Sequence, residues 1–485
     1  MPCYSKLGGG NGEHKNILNT FANADFKKND KHTIMKRILF STALATLLFS
    51  GCAVQSTKND KAQECITLSE ISEQDIDYEK YFTDGTFRFD FHHYGDCNSE
   101  NYAFDGMKLE GQWAGSHKSL INPFGYGEQL FRIVDTEEQK VIYQNGYCTL
   151  FNEWQTTAEA QKTTRSYPES LIFPCPKRDF TVEIYARNKK SKLFEKHYTY
   201  AASIGDYNIE PYAPEHEAVD IHIGGSIEHS LDIVLLPDGF TAEEKEKFME
   251  ACGAWRDALF AYEPFTSEKQ RINIRAVWAP SKESGISIPG KGEWKKTLLD
   301  CRFYTFGSER YQMTSEFHKV RDVAASAPYE SIFILTNSDK YGGGGIYNYS
   351  GLGSAGKTGK TGEVYVHEFG HSLMGLGDEY VEKGNTVSEF YPADKEPWEA
   401  NLTTFVNFNG KWEGMIAEGT PIPTPASDSL LRLPDAQWPI GTYEGGGYLE
   451  KGIFRPWPKC MMNQLYDFCP VCQAAIRKYL DYICK

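Results

Sequence analysis

The chain has 485 residues and a formal net charge of −15, from 51 Lys and Arg against 66 Asp and Glu. Hydrophobic residues make up 40% and charged residues 24%, which excludes a disordered chain and, at this length, favours two or three domains. The acidic balance argues against a protein that binds nucleic acid, because such a protein needs a basic face for the phosphates.

The first feature in chain order is a short apolar segment after a basic start. Met35-Lys-Arg precedes an apolar run at residues 38–49, which ends in Ser-Gly-Cys52. About 12 residues are too few to cross a bilayer about 30 Å thick, and such a run is typical of a signal peptide. Small residues before a cysteine resemble the bacterial lipobox, in which Cys52 becomes lipidated. An ordinary signal peptide cut nearby is the alternative.

We therefore expect residues 1–51 to be a leader and lipoprotein signal peptide, with translation beginning at Met35. Residues 52–70 are polar enough to act as a tether between a lipidated Cys52 and the folded body. The sequence predicts an exported lipoprotein at the outer membrane or cell surface, attached to the membrane through the lipid alone or released from it.

Export changes the interpretation of the cysteines. Apart from Cys3 and Cys52 there are ten, and an even number in an oxidising compartment favours disulfide bonds. Four lie near the C terminus, where the sequence cannot choose among the pairings. Cys469-Pro-Val-Cys472 is alternatively half of a zinc site or a redox pair. Because a second CxxC is absent, structural disulfides are the preferred interpretation.

Residues 80–205 alternate between apolar and polar with period two. The segments 87–94 and 181–186 are typical of half-buried strands, and many short strands in series predict a β-sandwich domain, which we place at 71–215. His92 and His93 are tempting as metal ligands. Adjacent residues on a strand point to opposite faces, however, so we interpret both as structural.

Beyond residue 215 the pattern changes to strands and helices in alternation. Residues 231–236 form an apolar run typical of a buried strand, and Thr241-x-x-Glu244 is a capping box that opens a helix ended by Pro264. Strands at 272–279 and 331–336 with a helix at 308–325 between them predict a mixed sheet with packed helices. The fold class is therefore α+β.

A phosphate-loop pattern occurs at residues 351–358, Gly-Leu-Gly-Ser-Ala-Gly-Lys357-Thr358. The pattern binds nucleotides only where a strand ends at its first glycine and a helix begins at its lysine. The preceding strand is predicted to end near Thr336, and glycines at 359 and 362 disfavour a helix there. We interpret the segment as a glycine-rich loop and expect no nucleotide ligand.

The pentad His367-Glu-Phe-Gly-His371 lies within an apolar context typical of a buried helix. Side chains four apart share a helical face, so the two imidazoles can bind one metal ion. Zinc accepts neutral imidazole nitrogens and keeps a position for water, whose pKa it lowers to about 7. Glu368 would then act as the general base and return the proton to the leaving amine.

A catalytic zinc ion needs a third protein ligand. Residues 375–377, Gly-Leu-Gly, stop the helix and let the chain turn back, and Asp378 and Glu379 follow directly. Either carboxylate is a candidate, and Asp378 is preferred.

Residues 367–380, His-Glu-Phe-Gly-His-Ser-Leu-Met-Gly-Leu-Gly-Asp-Glu-Tyr, resemble the metallopeptidases of the bacterial immunoglobulin A protease type, in the metzincin group. Further segments with the same resemblance are 235–240, 276–285, 303–311, 444–448, 454–456, 460–462 and 468–472. The resemblance implies a metzincin-like zinc peptidase domain at 216–485, and the preceding β-sandwich resembles the amino-terminal domain of some family members.

The resemblance also implies roles for single residues. His367, His371 and Asp378 would bind one zinc ion, and Met462, with Met461 as the alternative, would form the Met-turn beneath it. The stretch 341–349, which includes Tyr347, would pair with an extended protein or glycoprotein substrate by β-addition.

Two departures from the metzincin pattern stand out. Met374 and Gly377 occupy positions where the extended motif has Gly and His, and Asn463 and Gln464 follow the Met-turn where some members have Tyr. The group that stabilises the oxyanion is therefore open, with Tyr448 and Arg455 as candidates.

The leading functional hypothesis is an envelope-anchored, zinc-dependent endopeptidase. The alternative is a surface binding protein, in which the β-sandwich domain binds glycans or proteins and the zinc domain is non-catalytic.

Overall fold

A computed structural model describes residues 64–67, 74–357, 359–382, 391–434 and 437–485. The predicted leader and Cys52, together with most of the predicted tether, lie outside these residues. Within the described ranges, no helix is both long and apolar enough to cross a membrane.

The amino-terminal β-region, residues 74–215 together with the short strand at Cys65, forms two antiparallel sheets. Its strands are β1 (Cys65–Ile66), β2 (Phe82–Gly95), β3 (Glu100–Glu110), β4 (Gln129–Asp135), β5 (Lys140–Tyr147), β6 (Arg165–Pro176), β7 (Phe180–Arg187) and β8 (Phe194–Ala202), with helices α1 (Tyr78–Tyr81) and α2 (Leu150–Gln155). One sheet has the order β1-β8-β7-β4-β5 and the other the order β3-β2-β6. The strands predicted at 87–94 and 181–186 lie within β2 and β7.

The middle of strand β2, residues 86–91, is buried on both faces, and this explains its composition. Phe87, Phe89 and Phe91 point into the core shared with the five-stranded sheet, and each is fully buried. Arg88, on the other face, is 1% exposed and donates hydrogen bonds to Asp90 at 2.6 and 2.7 Å. In the next region of the chain, Arg88 Nη1 donates to Asp322 Oδ1 at 2.7 Å and Nη2 donates to the His318 carbonyl at 3.1 Å. A buried arginine of the β-region thus pairs with a half-exposed carboxylate of the following region.

The carboxy-terminal region, residues 216–485, is built on a six-stranded mixed sheet. The strands of this sheet are β9 (Glu217–Ile223), β10 (Leu231–Asp238), β11 (Ile272–Trp278), β12 (Ser331–Thr336), β13 (Gly343–Ile346) and β14 (Ser350–Ser354). Strands β15 (Tyr443–Gly446) and β16 (Leu449–Arg455) form a separate two-stranded sheet. The helices of the region are α3 (Lys245–Leu259), α4 (Phe265–Glu268), α5 (Phe317–Ala324), α6 (Thr361–Met374), α7 (Asp428–Leu431), α8 (Met461–Gln464) and α9 (Pro470–Ile483).

The sheet order is β13-β14-β12-β10-β11-β9, with β14, β12, β10 and β11 parallel and both edge strands antiparallel. Alternate residues of the central strands pack into two hydrophobic cores, one on each face of the sheet. Ile233 and Leu235 pack with α3 and α6 on one face, while Val234 and Leu236 pack with α5 and residues of the β-region on the other. Among the described residues, Glu64–Lys485 therefore form one compact unit, as expected for an α+β chain whose two regions share a core.

Two local predictions differ from the structure. The helix predicted at 308–325 begins at Phe317, because Tyr311 and Met313 instead form β-bridges to Gly343 and Arg302. The glycine-rich segment predicted as a loop starts with strand β14, which is buried and pairs with β12 in parallel. Its backbone groups are therefore committed to the sheet, and Thr358 lies outside the described residues.

Among the described residues, no disulfide bond joins any of the nine cysteines from Cys97 to Cys484, so the structure gives the predicted disulfides no support there. The Sγ atoms of Cys460 and Cys472 are 3.7 Å apart, well beyond the S–S bond length of about 2.05 Å. Others are dispersed: Cys252 lies in the core beneath α3 and Cys301 in the core on the opposite face of the sheet.

The paired histidines of β2 behave as adjacent strand residues should. The side chain of His92 is 42% exposed, whereas His93 is fully buried with Nδ1 3.1 Å from Glu169 and Nε2 3.0 Å from Glu100. Burial lowers the pKa of His93, but the two carboxylates outweigh it and raise the pKa to about 9. Burial raises the pKa of Glu100, yet contact with His93 brings it down to about 2.

These shifts predict how stability depends on pH. The folded pKa of His93 exceeds the unfolded value of about 6.5, so its contribution is complete below about pH 6.5 and is lost as pH rises through about 9. The free energy of unfolding of the wild type, relative to His93→Gln, should fall by on the order of 3 kcal/mol across this window. Urea unfolding at several pH values measures it. The matched control His92→Gln should follow the wild type, and parallel profiles for wild type and His93→Gln would contradict the prediction.

Candidate metal centre

The pentad His367–His371 lies in the middle of α6, which is buried from Val364 to Gly370. The helix packs directly on edge strand β13, where a Cβ at Gly345 would lie 2.3 Å from the carbonyl oxygen of Glu368. Only glycine permits that approach. Gly375 ends the helix in the left-handed conformation with φ of 61°, and its amide donates to the His371 carbonyl at 2.8 Å.

The turn at Gly375 brings Asp378 back to the two histidines. Asp378 Oδ1 is 3.2 Å from His367 Nε2 and 3.3 Å from His371 Nε2, and the two Nε2 atoms are 3.1 Å apart. Ligands at about 2.0–2.1 Å from a tetrahedral zinc ion are about 3.3–3.4 Å from one another. The three atoms therefore form one face of a suitable coordination tetrahedron.

The surroundings of these atoms fit a cation. Asp378 is 4% exposed, and its Oδ1 has no hydrogen-bond partner among the described residues. An unpartnered buried carboxylate oxygen is costly unless a cation occupies the space it faces. His367 Nδ1 lies 2.9 Å from the carbonyl oxygen of Met461, and His371 Nδ1 contacts that of Leu376. A carbonyl accepts from Nδ1–H, which leaves each Nε2 with a free lone pair.

Glu368 lies beside this triad, between α6 and β13. It is 7% exposed and lines the same cavity as the histidines, and a Cβ at Gly343 would lie 2.9 Å from its Oε1. Burial raises the pKa of Glu368, and the two histidines oppose that rise. The carboxylate of Glu368 therefore lines the cavity next to the two imidazoles, as the sequence of the pentad predicts.

The two candidates for the third ligand have different neighbours: Asp378 lies next to the two histidines, and Glu379 does not. Asp378 joins the histidines, and despite burial, which raises its pKa, they hold that pKa well below the ordinary value. Glu379 is fully buried elsewhere, where Oε1 accepts a hydrogen bond from Asn401 Nδ2 at 2.9 Å and lies 3.3 Å from Cys472 Sγ.

Both candidates for the Met-turn lie beneath the helix. Met461 supplies the carbonyl that contacts His367, while Met462 packs against α6 so closely that a Cβ at Gly370 would lie 2.9 Å from its Sδ. The Met462 carbonyl also accepts from the Glu379 amide at 2.7 Å. The segment therefore contacts both the helix and the chain that follows Asp378.

Of the three candidates for contact with the oxyanion or substrate, two line the cavity and one does not. Tyr448 lines the cavity, and its hydroxyl donates to Asp378 Oδ2. Burial, followed by the charge of Asp378, raises the pKa of Tyr448 well above the ordinary value, so it remains a phenol. Tyr347 also lines the cavity, next to Trp398. Arg455 is not among the residues that line the cavity. Its guanidinium donates to the Gly445 carbonyl, and its charge acts on Glu379.

Part of the cavity wall comes from the β-region, which the sequence did not predict. The contributing side chains share a position at the ends of strands or in α2: Glu128, Cys148, Asn152, Glu153, Arg187 and Lys192. Glu128 accepts a hydrogen bond from Trp398 Nε1 at 2.8 Å, and Tyr311 donates to Glu153. No local motif marks these residues, because their position depends on how the two regions pack.

Comparison with known proteins gives matches for both regions. Residues 219–438 match the family model described as IgA Peptidase M64, and residues 77–198 match the model of the Peptidase M64 N-terminus. The first match includes His367, Glu368, His371 and Asp378 and ends before Tyr448 and Met462. No curated protein matches significantly.

The contact between Tyr448 and Asp378 yields a test of the centre. Partners of metal ligands typically contribute 10–100-fold to affinity, so Tyr448→Phe should weaken zinc binding by about that factor. Competition with a chromophoric chelator measures the change. Tyr391→Phe is the matched control, since it removes a hydroxyl in the same cavity that donates to Glu399 rather than to Asp378. Equal zinc affinity in Tyr448→Phe and the wild type would mean that the hydroxyl does not support a metal ligand.

Proposed function

Because the chain belongs to the IgA Peptidase M64 family, we propose that it is a zinc-dependent endopeptidase with a metzincin-like catalytic domain. Family membership indicates a hydrolase of peptide bonds. The observation that carries the finer proposal is the convergence of His367 Nε2, His371 Nε2 and Asp378 Oδ1 within 3.1–3.3 Å beside the buried Glu368.

The proposed mechanism gives each residue one task. His367, His371 and Asp378 would hold a zinc ion, which would supply Lewis acidity and lower the pKa of water to about 7. Glu368 accepts the proton of the attacking water and then delivers it to the leaving amine. Tyr448 is a positioning residue in this mechanism, since its hydroxyl holds Asp378 Oδ2 while Oδ1 faces the histidines.

We propose that the substrate is a protein or glycoprotein bound as an extended strand along β13. This strand is at the edge of the six-stranded sheet and lines the cavity next to Glu368. Its first residue is already engaged, because Gly343 accepts from Gln312 N at 3.0 Å and donates to the Arg310 carbonyl at 3.2 Å. The substrate would therefore pair with the part from Gly344 to Ile346.

We also propose that the protein acts at the cell envelope, held by a lipid on Cys52. The support is the sequence alone: a basic start, an apolar run of about 12 residues and small residues before the cysteine.

Glu368→Gln tests the mechanism without removing a metal ligand. General acid–base catalysis contributes about 10²–10⁴-fold, so kcat/KM on a denatured protein substrate should fall by that factor while zinc content and thermal stability stay unchanged. Glu363→Gln makes the same chemical change in the first turn of α6 and should keep wild-type activity.

Two results would contradict the proposal. Undiminished cleavage by Glu368→Gln would remove the general base. A wild-type protein that carries zinc yet cleaves no denatured protein would favour a binding protein with a non-catalytic zinc domain.

A further inference from the structure

A second cluster of metal-binding side chains lies on the far side of Asp378. It consists of Glu379, Cys460, Cys469 and Cys472, and we call it the cysteine cluster. One ligand atom from each of the four residues lies within 4.8 Å of all the others. Three of these residues are fully buried, and Cys469 is 3% exposed.

Two distances within the cluster match a tetrahedral thiolate site, and the remaining ligand atoms lie within 4.8 Å of one another. Zn–S bonds of about 2.3 Å place two sulfurs of a tetrahedron about 3.7–3.8 Å apart. The Sγ atoms of Cys460 and Cys472 are 3.7 Å apart, whereas a disulfide needs about 2.05 Å. Glu379 Oε1, at 3.3 Å from Cys472 Sγ, occupies a fourth position at a distance compatible with a carboxylate ligand.

Backbone amide groups are directed at two of the three sulfurs, those of Cys460 and Cys469. Cys469 is the N-cap of α9, and its Sγ accepts from the Cys472 amide at 3.4 Å. The Cys469 amide in turn lies 3.4 Å from Cys460 Sγ. Amide donors directed at sulfur are the usual second layer of a thiolate site, because they stabilise negative charge on the sulfur.

The carboxylate provides an independent observation. Glu379 is fully buried, its Oε1 accepts hydrogen bonds from Asn401 Nδ2 and from the Cys472 thiol, and its Oε2 has no partner among the described residues. A buried carboxylate with an unpartnered oxygen next to three thiols is unfavourable unless a cation compensates it. The charge of Arg455 acts on both Glu379 and Cys460, and so offsets part of the excess negative charge of such a site.

We propose that the cysteine cluster binds a second, structural zinc ion through Cys460, Cys469, Cys472 and Glu379. The three thiols release their protons when the ion binds, and no open position remains for a substrate or water. The site is closed and buried, so the ion has no part in peptide hydrolysis itself.

The consequence for the candidate catalytic centre follows from the chain connections. Glu379 directly follows Asp378, and Cys460 directly precedes Met461, whose carbonyl contacts His367 Nδ1. The Glu379 amide also donates to the Met462 carbonyl at 2.7 Å. The second ion would therefore fix both the segment that carries the third ligand and the segment beneath the histidines.

The test uses the full chain and leaves the cysteine cluster untouched. His367→Ala/His371→Ala removes the catalytic ligands, so this variant should retain about one zinc ion per chain, against about two in the wild type, by elemental analysis. After exchange with cobalt(II) alone, the variant should show thiolate-to-cobalt charge-transfer absorption in the near ultraviolet. Zinc content and cobalt absorption do not depend on peptidase activity. The second zinc site can therefore be absent from an active peptidase, and it can equally be present in an inactive protein.

A second pair of variants identifies the ligands. Adding Cys469→Ser to the double variant should remove the remaining zinc and the charge-transfer band. Adding Cys252→Ser, which changes a fully buried thiol in the core beneath α3, should leave both in place. The proposal is overturned if the double histidine variant carries no zinc and gives no thiolate band with cobalt. It is equally overturned if thiol titration of the denatured, unreduced chain finds Cys460, Cys469 or Cys472 in a disulfide.

Discussion

A buried carboxylate oxygen held between two imidazole nitrogens is the constraint on which the site depends. Asp378 Oδ1 has no hydrogen-bond partner among the described residues and faces two Nε2 atoms whose rings are oriented from behind by carbonyls. With neutral imidazoles this arrangement places lone pairs against one another, and a cation shared by the three atoms makes it favourable. The glycine contact between β13 and α6, the left-handed turn at Gly375 and the Met461 carbonyl each contribute to holding it.

The sequence could predict which side chains of the candidate centre come together, because the pattern that brings them together is local. Two histidines four apart on a buried helix share a face whatever the fold around them, and a glycine stop followed by an acidic residue indicates that the chain returns. The local sequence left both Asp378 and Glu379 as candidates for the third ligand, with Asp378 preferred. In the structure the two carboxylates diverge, because consecutive residues in this extended segment point to opposite sides, one toward the histidines and one toward the cysteine cluster.

Features that depend on packing between distant segments were not predictable in the same way. Glu128, Glu153 and Arg187 reach the cavity only because the β-region packs on the face of the sheet opposite α6. Disulfide bonds were predicted from the number of cysteines and from the oxidising compartment. In the structure, Cys460, Cys469 and Cys472 instead lie next to Glu379, a carboxylate from a distant part of the chain. Arg455, a candidate for the oxyanion, lies near Glu379 and Cys460 instead, and this follows from the pairing of β15 with β16 rather than from any motif.

The most direct test of the central claim is an anomalous difference map at the zinc absorption edge from crystals of the full chain. The account predicts a peak about 2.0–2.1 Å from His367 Nε2, His371 Nε2 and Asp378 Oδ1, on the cavity side next to Glu368. Crystals of a zinc-loaded protein with no peak at that position, or with Glu379 in place of Asp378 among its ligands, would contradict it.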